Sequence, residues 1–119
     1  MKFMNTKKGG VARSMIFKYG KTYRAVCLDF DLVYDCESFK EAERIIKESV
    51  ISYIKNVHKN NLDDSLLNRH ADKKYWDMYD SYLRLITDQH KSYKPADTLL
   101  GKTTSLFTWP IAQTAACSC

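Results

Sequence analysis

The residues best placed to do chemistry in this chain are four acids in a short segment, Asp29, Asp31, Asp35 and Glu37. Asp29 and Asp31 are two positions apart on a predicted strand, so their side chains would point to the same face. Paired carboxylates on a sheet can hold Mg²⁺ for phosphate chemistry. One alternative function for this chain is therefore a metal-dependent nuclease. Acids are also common where strands end and turn. Because neither a third strand-centre acid nor a well-placed histidine completes a nuclease site, we expect a solvated acidic surface without metal or cofactor.

The remaining reactive side chains form no catalytic pattern. His58, His70 and His90 are widely separated and lack the spacing of a helical metal-binding pair. No serine lies in a nucleophile-elbow pattern. Gly9-Gly10 is not followed by the lysine and hydroxyl of a phosphate-binding loop. We therefore expect a protein that is not an enzyme.

Size and composition are those of one globular domain. The chain has 119 residues, of which 45% are hydrophobic and 28% charged, enough for one modest core. No apolar run approaches the roughly 20 residues of a membrane-spanning helix, and residues 1–10 are polar and basic rather than signal-like. We expect a cytoplasmic protein with reduced cysteines. Cys117 and Cys119 supply only two ligands, whereas structural zinc is held by about four.

The net charge of +5 is unevenly distributed along the chain. Residues 1–24 contain seven bases and no acid, and the rest contains 12 bases and 14 acids. We predict a flexible basic arm over residues 1–12, with Gly9-Gly10 as its hinge. Such an arm could hold nucleic-acid phosphates or an acidic partner, and nucleic-acid binding is a second alternative function. The bases that would make these contacts are Lys7, Lys8, Arg13, Lys18 and Lys21.

Apolar alternation predicts a β-hairpin early in the chain. Residues 13–19 and 23–31 form its strands, and Gly20-Lys21 is a two-residue turn with glycine first. In this register Met15 faces Val26. One face then carries the predicted core residues Met15, Phe17, Val26, Leu28 and Phe30. The other, exposed face carries Tyr23, Ala25, Asp29 and Asp31. Residues 32–36 predict a third, shorter strand.

Two long helices are predicted after the strands. Ser38 and Glu41 form a capping box at the start of the first helix, which spans residues 39–57 and carries a continuous apolar stripe. A second helix near residues 73–93 has an aromatic-rich apolar side and ends before Pro95.

The C-terminal part, residues 95–119, predicts an extension with a late strand from Thr103 to Ile111, which Pro110 would confine to an edge. Residues 13–94 would form one α+β domain. We predict an antiparallel sheet of three to four strands with helices packed on one face. The late strand would leave an open edge, which favours a homodimer.

The segment from Tyr23 to Tyr53 resembles the HicB-like antitoxin domain. That family has a tyrosine-led strand ending in an acid, a short turn and an acidic helix with a Glu-Ala step. The matching residues are Tyr23-Arg24-Ala25-Val26-Cys27-Leu28-Asp29, then Ser38-Phe39-Lys40-Glu41-Ala42, then Ile46, Ser49-Val50 and Tyr53-Ile54. The resemblance covers about residues 13–58. The tail after His58 has no recognisable DNA-binding module.

This resemblance implies a partly degraded ribonuclease-H-like fold, with three antiparallel strands, a helix, a fourth strand and another helix. HicB-type domains cover the active site of a small mRNA-cleaving toxin and have generally lost catalytic function. The implied function is a non-catalytic protein-binding module whose partner is a small basic toxin. We expect its contacts on the exposed sheet face and the acidic segment that follows, at Tyr23, Asp29, Asp31, Asp35 and Glu37.

Overall fold

Four strands form one antiparallel sheet in the order β3-β2-β1-β4. The computed structural model describes residues 4–91 and 104–116, with the side chains of the second helix described as far as Ile86. The strands are β1 (Val11–Tyr19), β2 (Thr22–Cys27), β3 (Leu32–Cys36) and β4 (Ser105–Pro110). The helices are α1 (Phe39–Lys59), α2 (Lys73–Lys91) and α3 (Ile111–Ala116), and a 3₁₀ turn covers Asp64–Leu67. The predicted α+β class with an antiparallel sheet is confirmed.

The β1–β2 hairpin has the predicted register. Met15 pairs with Val26, and Tyr19 pairs with Thr22 across the two-residue turn. Gly20 has φ of +63°, the left-handed value that the first position of such a turn requires and that glycine adopts at little cost.

The second strand is shorter than predicted. It ends at Cys27, and the Asp31 amide donates back to the Cys27 carbonyl at 2.9 Å, so residues 28–31 form a turn. Asp31 takes a left-handed φ of +59°, which aspartate tolerates better than most residues. The prediction that Asp29 and Asp31 share a strand face is therefore wrong.

Helix α1 covers one side of the sheet, here called the α1 face. The Ser38 Oγ caps the helix by accepting a hydrogen bond from the Glu41 amide at 3.1 Å, as the sequence predicted. The buried residues of the helix follow one stripe: Ala42, Ile46, Val50, Ile54 and Val57. The sheet meets them with Ala12, Ile16, Ala25 and Cys27. Phe30 also belongs to this cluster and stacks on Tyr53 with ring centroids 4.4 Å apart. The prediction that Phe30 shares a face with Met15 is wrong, because the strand ends at Cys27 and Phe30 lies in the turn.

The opposite side of the sheet, here called the α2 face, is also covered. The predicted core residues Met15, Phe17, Val26 and Leu28 are buried there against Ala71, Tyr75 and Tyr79. Helices therefore pack on both faces, and the prediction that they pack on one face is wrong. The sequence carries the signal for this, since β1 and β2 each contain a continuous apolar run, which is typical of strands buried on both sides.

The late strand is confirmed, with shifted ends. β4 pairs antiparallel with β1, from Val11 opposite Pro110 to Ile16 opposite Ser105. Pro110 is its last residue, as expected for a residue without an amide hydrogen, and Ile111 already begins α3. Thr103 and Pro95 lie outside the described residues, as does the predicted end of the second helix. No helix within the described ranges is long and apolar enough to span a bilayer.

The N-terminal residues from Asn5 onward are fixed to the body of the domain. Asn5 is 1% exposed, and its Nδ2 donates to the Leu67 carbonyl at 3.0 Å. Its backbone exchanges hydrogen bonds with the Asn68 side chain at 2.7 and 2.9 Å. The Asn5 Oδ1 accepts from the Val11 amide at 3.1 Å. These contacts, the N-terminal clamp, correct the prediction of a flexible arm over residues 1–12 for the part from Asn5 onward, and residues 1–3 lie outside the described residues. Sequence reasoning missed the clamp because its two asparagines are 63 positions apart.

Gly10 allows the clamp to close. Its φ is +108°, and a Cβ on it would lie 2.1 Å from the Asn5 Oδ1. We expect Gly10→Ala to lower the free energy of unfolding by about 1–3 kcal/mol, because the substitution adds backbone strain and displaces Asn5. Urea denaturation measures this loss. Gly9→Ala is the matched control, since a Cβ there meets no heavy atom within 4 Å. Equal losses in the two variants would contradict the account.

Candidate partner-binding surface

Strand β3 is an edge strand, and the phase of its hydrogen bonds follows from the first hairpin. A two-residue turn makes Tyr19 and Thr22 a hydrogen-bonded pair, and such pairs alternate along an antiparallel ladder. The Leu28 amide donates to the Arg13 carbonyl at 2.7 Å, which keeps the same phase. The β2 residues between these pairs direct their amides and carbonyls away from β1, toward β3.

On β3 the same alternation decides which backbone groups face outward. Ala25 pairs with Tyr34, and Tyr23 pairs with Cys36, so these β3 residues use their backbone groups on β2. Val33 and Asp35 then direct their amides and carbonyls to the outer edge. Within the described ranges β3 pairs with β2 alone. This edge is available to another strand.

The side chains of these two residues lie on the α2 face and reach solvent. Val33 is 40% exposed, and the Asp35 side chain is 46% exposed. Asp31 and Glu37, at the two ends of the strand, are exposed as well. Residues 31–37 thus contain three acids and no base. We call Asp31, Val33, Asp35 and Glu37, with the outer backbone edge, the β3 edge surface.

Arg24 fixes the position of Asp35. Its Nε and Nη2 donate to the two carboxylate oxygens at 2.7 and 2.9 Å. Its Nη1 donates to the Tyr75 hydroxyl at 2.9 Å, and its guanidinium lies 3.7 Å from the ring centroid of Tyr19. The hydrogen bonds from Arg24 lower the pKa of Asp35, and Asp35 in turn raises the pKa of Arg24. The carboxylate is therefore ionised and held in one orientation.

Tyr19 extends this surface along the hairpin. Its ring is 49% exposed and contacts Phe17 edge-on, with centroids 6.3 Å apart. Together with Val33 it places apolar area beside the ion pair of Arg24 and Asp35. Aromatic and arginine side chains that are partly exposed in this way are common at protein interfaces.

Asp29 has a different role from the other acids. It is 0% exposed, and its carboxylate accepts three hydrogen bonds from Arg13, from the backbone amide at 2.7 Å, Nε at 3.1 Å and Nη2 at 2.8 Å. The prediction that Asp29 lies on an exposed face is wrong, because the strand ends before it and the turn directs its side chain inward. Both carboxylate oxygens are engaged by Arg13, which leaves the group unsuited to hold Mg²⁺.

The same residue anchors the start of α2. The Asp29 carbonyl accepts from the amides of Arg69 and His70 at 2.8 and 3.2 Å. Burial by itself would lower the pKa of Arg13, but the hydrogen bond and charge of Asp29 outweigh burial and raise it. The Arg13 guanidinium also lies 4.9 Å from the ring centroid of Trp76 in α2. Asp29 and Arg13 thus join β1, the turn after β2, and α2.

Tyr23 is separated from the acids as well. It lies on the α1 face, where it meets Phe39 edge-on with centroids 6.0 Å apart, and the Lys18 Nζ lies 4.7 Å from its ring centroid. Ala25, expected on an exposed face, is fully buried beneath α1. Of the five predicted contact residues, the structure brings three together on the β3 edge surface, namely Asp31, Asp35 and Glu37.

The predicted nucleic-acid contacts do not form one cationic surface. The Lys7 Nζ pairs with Asp64 at 3.0 Å, and Arg13 is paired with Asp29. Lys8 is exposed near the start of β1, whereas Lys18 and Lys21 lie at its other end, around the hairpin turn. Two of the five charges are neutralised and the others are divided between opposite ends of a nine-residue strand.

The two cysteines of the sheet are unreactive. Cys27 and Cys36 are buried free thiols. Burial raises the pKa of Cys27 to about 12 and raises the pKa of Cys36, so both stay protonated near neutral pH and are poor nucleophiles. Cys117 and Cys119 lie outside the described residues. No group of three or more potential metal ligands is found in the part of the chain that the structure describes.

Sequence reasoning missed Tyr19 and Val33, which add exposed apolar area here, and also Arg24 and the buried Tyr75, which hold Asp35 in place. A signal was present for Arg24, because it lies opposite Asp35 in the β2–β3 register and opposite charges favour such cross-strand positions. Tyr75 carried no comparable signal, since its contact depends on where α2 packs. Comparison with protein-family models, curated proteins and solved structures found no match to this chain.

The two ion pairs should differ in their contribution to stability. We expect Asp29→Asn to lower the free energy of unfolding by about 3 kcal/mol, because the fully buried carboxylate accepts three hydrogen bonds from Arg13 and an amide group has only one accepting atom. The matched substitution Asp35→Asn, in the more exposed pair, should cost less than about 1 kcal/mol. Urea denaturation of both variants measures the difference. Similar losses would contradict the distinction between a buried anchor and a surface pair.

Stability should depend on pH through Asp35. Its pKa is lower in the folded protein, so the pair with Arg24 stabilises the fold above the ordinary pKa and this contribution is lost as the pH falls through the folded pKa. We expect the difference in unfolding free energy between the protein and Asp35→Asn to shrink toward zero as the pH falls from about 5 to about 2. In an Arg24→Gln background the difference should be small throughout, and an unchanged pH profile there would contradict the assignment.

Proposed function

We propose that this protein is a non-catalytic protein-binding module of the antitoxin type, which binds a small basic toxin through the β3 edge surface. It would act in the cytoplasm, where an mRNA-cleaving toxin meets its substrate. The observation that carries the proposal is the run of Asp31, Asp35 and Glu37, with no base between them, along and beside a strand whose outer edge pairs with no other described strand.

The charges of this surface suit such a partner. A protein that cuts mRNA must bind phosphates, and phosphate binding requires a basic site. Two exposed carboxylates at the ends of β3, Asp31 and Glu37, with the partly exposed Asp35 between them, can occupy a basic site in place of phosphates. Complementary charge also accelerates association. The Asp35 carboxylate has a fixed orientation, because Arg24 donates two hydrogen bonds to it.

The order of elements also supports the proposal. Three antiparallel strands, helix α1, a fourth strand and a final helix follow one another as the HicB-like resemblance implies, with α2 added before β4. The sheet order β3-β2-β1-β4 leaves β3 at one edge. In this arrangement α1 and α2 cover the two faces, which leaves the edge strands β3 and β4 for a partner. Of these two strands, β3 is the one that contains and adjoins acids.

The experiment begins with the reading frame beside the gene of this protein. We expect it to encode a small basic protein whose mRNA cleavage stops when this chain is added in equimolar amount. The double variant Asp31→Asn, Glu37→Gln should weaken that inhibition by about tenfold or more, since each lost charge-assisted contact is worth about 1 kcal/mol or more. Asparagine is chosen at position 31 because it tolerates the left-handed φ.

The matched control is Glu43→Gln, Glu48→Gln, which removes the same charge from the exposed side of α1. It should inhibit like the unchanged protein. The proposal is contradicted if no small basic neighbour exists, if that neighbour binds without losing activity, or if the two double variants weaken inhibition equally.

A further inference from the structure

We propose that the partner is bound by strand addition: a basic, extended segment pairs with the outer edge of β3 through the backbone groups of Val33 and Asp35. This inference rests on the proposed function and specifies how the β3 edge surface would engage its partner. It predicts the conformation and the charge pattern of the segment that is recognised.

The first argument is the state of the backbone. The alternation of hydrogen bonds directs the amides and carbonyls of Val33 and Asp35 outward, while Tyr34 and Cys36 are paired with β2. Within the described part of the chain, no other strand joins this edge. Unpaired edges of this kind accept an extended peptide as an additional strand, with main-chain hydrogen bonds giving affinity and alternate side chains giving specificity.

The second argument is charge, which selects among the occupants. If β3 of a second copy were added at this edge, the acids of one strand would lie beside the acids of the other. Directly opposed like charges are destabilising. A segment rich in lysine or arginine meets the exposed carboxylates of Asp31 and Glu37 with opposite charge instead, and it can also contact the exposed part of Asp35 beside Arg24. The observations therefore favour a basic strand from another protein over self-pairing of this chain.

The third argument is the side-chain pattern that the edge presents. Val33 and Asp35 are two residues apart and point to the same face of the sheet, where both are partly exposed. A strand added beside them would place an apolar side chain next to Val33 and, two residues away on the same face, a cation next to Asp35. The recognised pattern is thus a basic residue, any residue, and an apolar residue.

A defined peptide tests this mode directly. The probe is the acetylated and amidated peptide Lys-Thr-Val-Thr-Lys-Thr, and the control replaces both lysines with glutamate. Amide hydrogen exchange is followed by NMR on the intact protein. At about ten times the dissociation constant we expect the Val33 and Asp35 amides to exchange about tenfold more slowly, with Tyr34 and Cys36 unchanged and the glutamate peptide without effect.

A backbone variant separates strand addition from mere charge attraction. Val33→Pro removes an amide that the β2–β3 ladder does not use, at the kind of edge position where proline is tolerated. Val33→Pro should weaken peptide binding about tenfold, because one hydrogen bond and the local fit are lost. Val33→Thr keeps the amide, so its dissociation constant for the peptide should lie within about twofold of that of the unchanged protein. Thermal unfolding of both variants confirms that they are folded.

The outcomes distinguish the two proposals. If Val33→Pro still neutralises the toxin as well as the unchanged protein, strand addition is wrong and the proposed function stands. If peptide binding slows exchange uniformly, or equally for the glutamate peptide, strand addition is also wrong. Selective protection of Val33 and Asp35, lost in Val33→Pro, supports it, even if the toxin assay itself fails and overturns the proposed function.

Discussion

A buried negative charge at Asp29, neutralised by one guanidinium, connects the parts of this domain that lie far apart in the sequence. The Asp29 carboxylate is bound by Arg13 of β1, and its carbonyl accepts the amides that precede α2. Removing a charge from water is costly unless a partner and hydrogen bonds compensate it, so this arrangement tolerates few alternatives. This contact helps to place α2 over Met15 and Phe17, together with the apolar packing of Tyr75 and Tyr79 on that face.

The same acidic segment contains residues with opposite roles. Asp29 is enclosed and serves the fold, whereas Asp35, six positions later, is partly exposed and only oriented by Arg24. The difference arises from the turn between β2 and β3, where Asp31 takes a left-handed conformation and the chain reverses. Because the structural charge is separated from the surface charges, the exposed acids can change with little effect on the core, which is the property expected of a recognition surface.

Local signals allowed part of this structure to be predicted. The Gly20 turn set the register of the first hairpin, and Ser38 with a three-to-four-residue apolar stripe located α1, because these features depend on neighbours in sequence. The burial of Asp29, the clamp between Asn5 and Asn68, and the contact of Tyr75 with Arg24 depend on packing between distant segments. Sequence alone predicted all five contact residues on one surface, and it could not separate Asp29 and Tyr23 from the three exposed acids.

The strand order has a consequence for how the domain is made. The central strand β1 pairs with β2, which follows it directly in the sequence, and with β4, which lies near the C-terminus. Met15 therefore pairs with Leu106 only after most of the chain has been synthesised. On the ribosome, one side of β1 is therefore uncovered while most of the chain is still being synthesised, and an apolar strand in that condition is prone to associate with other nascent chains. The charged residues that follow β2 oppose such association, because acids beside an apolar strand act against intermolecular pairing.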